Sequence, residues 1–239
     1  MLIREDLTSA HNAVWDSLPR AGTWLDAETR IALACETRAC RACALCKERK
    51  AALSPSIEGD HDVACPQLPG TLIELVHKLV TDPGRITRRW VDALYAQGLP
   101  DTHYVEAAAL VSSVLVVDTF HAALGMPLRA LPEPRGGIPT ANRPRTACDE
   151  GAYVPMIAAD ALVDDYIDLY ATDHWVPNVH RAFSLVPDAT RLADRLMASH
   201  YLPYEQVPNY TDADHHRAID KTQMELIASR VSVHNDCFY

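Results

Sequence analysis

The chain has 239 residues, 48% of them apolar and 23% charged, enough for one generous core or two small ones. Its 22 Lys and Arg against 32 Asp and Glu give a formal charge of -10, which argues against the clustered positive surface that nucleic acid or an anionic membrane requires. Only nine Gly, 7% aromatics and abundant Ala favour helices over a strand-and-turn sandwich.

The first six residues already carry Arg4, Glu5 and Asp6, so no secretory leader is expected and the protein is assigned to the cytoplasm. A first helix is predicted over residues 8–18, ended by Pro19, and a second runs from the N-cap Asp26 without Gly or Pro to Ala52. Residues 54–70, with three Pro and two Gly, read as a loop. Three further helices are punctuated clearly: residues 71–80, a Thr87-capped helix closed by Gly98, and an Asp101-capped helix reaching Leu124 before Gly125. The last contains the most apolar stretch, residues 105–117, too short to cross a bilayer and closed by Asp118. Residues 131–149 are Pro- and Gly-rich and read as a linker. Helical periodicity resumes over residues 158–170, 179–185 and 189–200, and Asp220 to Gln223 has capping-box spacing at the head of a helix to Val233. No strand is expected. The class is all-α, with a domain over residues 1–130, a linker over 131–150 and a second helical half over 151–239.

Cysteine usage carries the chemistry. Of seven cysteines, Cys35, Cys40, Cys43 and Cys46 fall within twelve residues, and a reducing compartment argues against a disulfide framework. Two C-x-x-C pairs overlap, Cys40 with Cys43 and Cys43 with Cys46. Arg38, Arg41, Lys47, Arg49 and Lys50 surround them and favour thiolates. A zinc site would need a fourth ligand from the following loop, His61 or Cys65, a weak pattern because structural zinc sites usually pair two separated knuckles. Cys35 reads as a core residue and Cys148 as incidental. His77 and His121, on predicted helices, read as satisfied polar side chains. No cofactor and no metal is expected.

An internal echo is visible. Sliding Leu25-Asp26 onto Ile219-Asp220 by 194 residues places Ala34 on Ala228 and Cys43 on Cys237. His11-Asn-Ala-Val-Trp similarly resembles His180-Arg-Ala-Phe-Ser.

The stretches Glu74-Leu-Val-His-Lys-Leu-Val-Thr-Asp-Pro-Gly-Arg-Ile-Thr, Val91-Asp-Ala-Leu-Tyr-Ala-Gln-Gly-Leu and Phe120-His-Ala-Ala-Leu-Gly-Met-Pro-Leu carry a family resemblance. So does Glu225-Leu-Ile-Ala-Ser-Arg-Val-Ser-Val-His-Asn-Asp-Cys. With these segments the chain resembles the carboxymuconolactone decarboxylase / AhpD-like superfamily, especially its alkylhydroperoxidase-related members. The resemblance touches most of residues 8–129 and 177–239.

The resemblance implies an AhpD-like helical bundle with an internal repeat, homo-oligomeric, working without a cofactor on a peroxide or disulfide with a thiol reductant. The family motif is a Glu, a C-x-x-C pair beginning twelve residues later, and a His four residues after the second Cys. In the Cys40–Cys43 register Glu28 holds the Glu position and Lys47 the His position. In the Cys43–Cys46 register Ile31 and Lys50 stand there instead, yet the echo with Cys237 selects this pair. Both registers depart from the motif's proton relay, with Lys at the His position in each. Glu28, Glu36 or Glu48 is the expected base, and Lys47 or Lys50 the local cation. In the second half Glu225 precedes Cys237 by twelve residues, so the motif's second member would be residue 240. Two expectations stand there: a selenocysteine read from an in-frame UGA codon, or a degenerate motif in which Cys237 is a leftover. The expected function is a thiol oxidoreductase of peroxidase or disulfide-exchange type. Two alternatives stand beside it: a decarboxylase-like enzyme acting on a small acid without redox cysteines, and a non-catalytic helical or metal-binding module.

Overall fold

The computed structural model describes residues 2–170, 176–207, 217–235 and 237. Among the described residues the protein is all-α apart from one two-residue strand pair. The first helix, α1 (Glu5–Ser17), buries Leu7, Ala10, His11, Val14 and Trp15, the 3.6-residue spacing of a single apolar face. Asp26 starts α2 (Ala27–Ala39), its Oδ1 accepting from the Thr29 N–H at 2.7 Å.

The predicted unbroken helix to Ala52 does not form. After Ala39 the chain tightens into a 3-10 turn over Cys40–Ala42 and restarts as α3 (Ala44–Ala51). No Gly or Pro marks the break. Asp62 makes it: arriving from the following loop, its carboxylate accepts from the Ala44 N–H at 2.7 Å and caps a new helix start. Cys43, at φ -53° and ψ 125°, is the N-cap residue.

Beyond the loop come α4 (Gly70–Thr81), α5 (Arg88–Ala96) and α6 (Asp101–Ala123). The predicted signals operate here. The Thr87 side chain accepts from the Trp90 N–H, and Gly98 takes φ +94° just after α5, a conformation that costs glycine little. The 23 residues of α6 are long and apolar enough to cross a membrane by composition alone. In the fold it is the central helix, packed by α2, α4 and α8, with Val105, Ala107, Val111, Val114 and Val117 in the core.

Residues 126–146 form no helix but lie against the body. The Arg135 N–H donates to the Pro19 carbonyl at 2.6 Å, Ala141 N–H to Thr23 at 2.8 Å, and the Trp15 indole to Ala130 at 2.8 Å. The helix expected over residues 158–170 is replaced by a bridge between β1 (Ala147–Cys148) and β2 (Met156–Ile157), then 3-10 turns over Ala159–Ala161 and Asp164–Tyr166. The physical cause is tertiary. The Ile157 carbonyl, which a helix would give to the Ala161 N–H, accepts from Tyr170 Oη and Arg181 Nε, both at 3.0 Å. A short α7 (Asn178–Arg181) precedes α8 (Pro187–His200), which packs on α1 and α6.

The capping box opens α9 (Lys221–His234), with both reciprocal hydrogen bonds between Asp220 and Gln223. The two helices paired by the echo differ in setting. Residues of α2 are mostly core, whereas α9 buries Lys221 and Met224 and exposes Leu226, Ile227, Val231 and Val233.

Candidate active site

The break after α2 creates the site. It lifts Cys43 out of helical geometry and sets it at the N-terminus of α3, with Cys46 one turn on. Both sulfurs are buried, Cys46 retaining 4% exposure. The loop brings His61 to them, and α4 presents His77 beside that ring.

Cys46 Sγ lies 3.5 Å from His61 Nδ1 and 3.2 Å from His77 Nδ1, and Cys43 Sγ lies 3.6 Å from His61 Nδ1. The two imidazole rings sit 4.0 Å apart, centroid to centroid. Each ring is held from behind by a carboxylate. His77 Nε2 is 2.8 Å from Glu36 Oε1, with both side chains fully buried. His61 Nε2 is 2.8 Å from Glu74 Oε2. Glu36 is satisfied at its other oxygen by the backbone N–H groups of Ala64 and Cys65, at 3.0 and 2.8 Å. Glu74 accepts from Arg49 and from the Trp90 indole, at 3.0 and 3.1 Å. The Asp62 N–H donates to Cys43 Sγ at 3.4 Å.

The electrostatics follow from these contacts. Burial pushes the Cys46 thiol up, but hydrogen bonding to His61 and His77 overrides it and brings the group down to about 6. Cys43 is likewise lowered, against burial, by backbone N–H groups and His61. Burial alone would lower His61; the thiols and Glu74 raise it to about 10. Glu74 falls to about 2, burial being outweighed by His61, Trp90 and Arg49. The positive charge beside the sulfurs therefore comes from imidazole. Of the Arg and Lys residues expected to supply it, Arg38 pairs with Asp118 at 2.7 Å, Arg41 and Lys47 are exposed, and Arg49 reaches the site through Glu74, behind His61.

Of the residues singled out in the sequence, Cys43, Cys46 and Glu36 come together, and Glu36 acts through His77 rather than on sulfur. Cys40 does not join them. It is fully buried in the main core, its Sγ turned to the Thr37 carbonyl at 3.4 Å, and burial with nearby Cys46 and Glu36 pushes it up to about 12. Glu28 is exposed near the start of α2, and Lys47 is exposed on α3. Glu225 lies on α9, bonded to Tyr201 and to Lys221, and Cys237 is exposed beyond that helix. Phe238 and Tyr239, which complete the C-x-x spacing, lie outside the described residues. Cys65, weighed beside His61 as a partner for the thiols, packs in the main core and donates its backbone N–H to Glu36.

Sequence reasoning assigned no role to Glu74, read His77 as a satisfied polar side chain, and weighed His61 only as the fourth ligand of a weak zinc pattern; the structure places all three at the sulfurs or behind them. One signal was legible afterwards: Glu74 and His77 stand three apart on α4, a spacing that puts both on one helical face.

Cys46, Arg49, His61, Glu74 and Thr81 line a cavity of about 10 Å³, roughly the space of one water. A larger cavity of about 250 Å³, lined by Arg30, Glu106 and residues of α1 and α8, contains no cysteine or histidine. No disulfide is formed among the described residues. Comparison with protein families, curated proteins and solved structures finds nothing that matches this chain.

Proposed function

We propose that the chain is a thiol-dependent oxidoreductase that uses Cys46 and Cys43 on a small peroxide or a partner disulfide. The observation carrying this reading is the placement of Cys46 Sγ against two carboxylate-backed imidazoles, with Cys43 one turn away and sharing His61. Imidazoles at this distance stabilise a thiolate and can return a proton to a leaving oxygen. The resemblance to alkylhydroperoxidase-related proteins supports the same chemistry.

With a hydroperoxide, the Cys46 thiolate attacks the distal oxygen. A sulfur–oxygen bond forms, the O–O bond breaks, and the departing alkoxide takes a proton from the neighbouring imidazolium and leaves as an alcohol. The Cys43 thiolate then attacks the Cys46 sulfenic acid, forming the disulfide and expelling hydroxide, which leaves as water once protonated. An external dithiol restores the pair by exchange.

The test is peroxide consumption by the full chain with a dithiol donor. Cys46→Ser is expected to abolish turnover, and Cys43→Ser, assayed without the donor, to reduce one peroxide per chain and stop at the Cys46 sulfenic acid. Turnover unchanged in both variants would overturn the reading and favour decarboxylase-like chemistry.

A further inference from the structure

We propose that the reduced site is also a zinc site, with Cys43 Sγ, Cys46 Sγ, His61 Nδ1 and His77 Nδ1 as four tetrahedral ligands. These four atoms all lie within 4.8 Å of one another. Three of the four sulfur–nitrogen separations are 3.2, 3.5 and 3.6 Å, and the fourth, Cys43 to His77, lies within 4.8 Å. Zinc at about 2.3 Å from sulfur and about 2.0 Å from nitrogen gives tetrahedral sulfur–nitrogen edges of roughly 3.5 Å. The ligand atoms thus already stand near the corners that the ion requires.

The orientation of the rings is an independent observation. Both histidines turn Nδ1 to the sulfurs and Nε2 to a carboxylate, Glu74 for His61 and Glu36 for His77. A proton held on Nε2 by the carboxylate leaves the Nδ1 lone pair aimed at the shared centre. Histidines that bind zinc are oriented in this way by an outer carboxylate. A general acid needs one such ring; two, converging on the same pair of sulfurs, make a ligand set.

Charge and donor type agree. Two thiolates neutralise one divalent cation in a buried place, and the orienting carboxylates have their own donors: backbone N–H groups for Glu36, Arg49 and Trp90 for Glu74. A set of two sulfurs and two imidazoles selects zinc over calcium or magnesium, which take oxygen. All four positions are filled by protein, the arrangement of a structural or protective ion.

Zinc binding stands apart from the oxidoreductase reading, but one consequence rests on it. The ion and the disulfide compete for the same sulfurs. One hydroperoxide and two protons convert the zinc-bound dithiolate to disulfide, alcohol, water and released zinc. The metal then marks the reduced state and shields it.

The experiment uses the full chain, reduced, stripped with a chelator and titrated with zinc against a chromophoric competitor, with cobalt(II) as a spectroscopic probe. One equivalent is expected, with a thiolate-to-cobalt charge-transfer band and tetrahedral d–d intensity. Cys46→Ser and His77→Ala should lose binding. Glu36→Gln, which keeps every ligand, should bind roughly 10- to 100-fold more weakly. Cys40→Ser should bind as the parent does. Less than a tenth of an equivalent on reduced, folded protein would overturn the proposal, as would a cobalt spectrum without thiolate charge transfer. Peroxide turnover by the stripped protein is read separately. Turnover without zinc binding removes the metal site alone, and zinc binding without turnover removes the oxidoreductase reading alone.

Discussion

Glu36 and His77 meet in the interior across 41 residues of sequence, Oε1 to Nε2 at 2.8 Å, both without measurable exposure. The opposite nitrogen of the same ring faces Cys46 Sγ at 3.2 Å. A buried carboxylate is costly unless its lone pairs are engaged, and Glu36 engages them with an imidazole and two backbone N–H groups. It therefore fixes three things together: the ring of α4, the end of α2 and the loop that carries His61.

Removing that carboxylate separates charge from structure. Glu36→Ala leaves two backbone N–H groups and His77 without their acceptor, and should cost about 3–5 kcal/mol. Glu36→Gln retains an acceptor oxygen and should cost about 1–3 kcal/mol. Denaturant unfolding of the reduced protein measures both. Equal losses would mean that the charge, rather than the hydrogen bonds from the backbone N–H groups, carries the stability.

The overlapping C-x-x-C pairs are separable by serine scanning. Cys40 lies in the core, so Cys40→Ser should lower stability by about 1–3 kcal/mol by burying a hydroxyl, while peroxide consumption per folded molecule stays at the parental level. Cys46→Ser should do the reverse. Turnover assays paired with urea midpoints read both axes.

Gly22 approaches the Arg30–Glu106 ion pair closely. A Cβ there would stand 1.8 Å from Glu106 Oε1 and 2.6 Å from Arg30 Nη1. Glu106 also accepts from the Trp24 and Leu25 N–H groups, at 2.6 and 3.3 Å. Gly22→Ala should displace this carboxylate and cost about 3–5 kcal/mol, the range for breaking a buried pair. Gly70→Ala, whose Cβ meets nothing within 4 Å at the start of α4, should change stability by less than about 1 kcal/mol. Thermal unfolding of the two variants makes the comparison.

His11 supplies an acid-sensitive contact between α1 and α8. Its Nε2 is 2.8 Å from His200 Nε2. Burial, then His200, His121 and Arg129, push it from 6.5 down to about 4. Because the folded value lies below the unfolded one, the unfolded chain binds more protons between these limits. The His11 contribution to stability should be level above about pH 6.5 and fall as pH drops toward 4, by on the order of 1–3 kcal/mol. Urea midpoints at pH 7 and pH 5 test this, and His11→Asn should flatten the slope.

What the amino-acid order determined by itself was local. Asp26, Thr87 and Asp220 start helices because their side chains reach backbone N–H groups two or three residues ahead. Gly98 and Gly125 follow helix ends because glycine accepts positive φ. The apolar run of α6 announces a core helix because no other element buries so many side chains on every face. Tertiary structure alone decided the break after Ala39, since Asp62, its capping group, arrives from a loop 18 residues beyond Ala44. It likewise removed the helix expected over residues 158–170 by drawing the Ile157 carbonyl toward Tyr170 and Arg181. The same holds for the site. Cys43 and Cys46 stand next to each other in any helical turn, but His77 becomes a partner of sulfur only because α4 packs against the break, an encounter governed by burial and not by spacing.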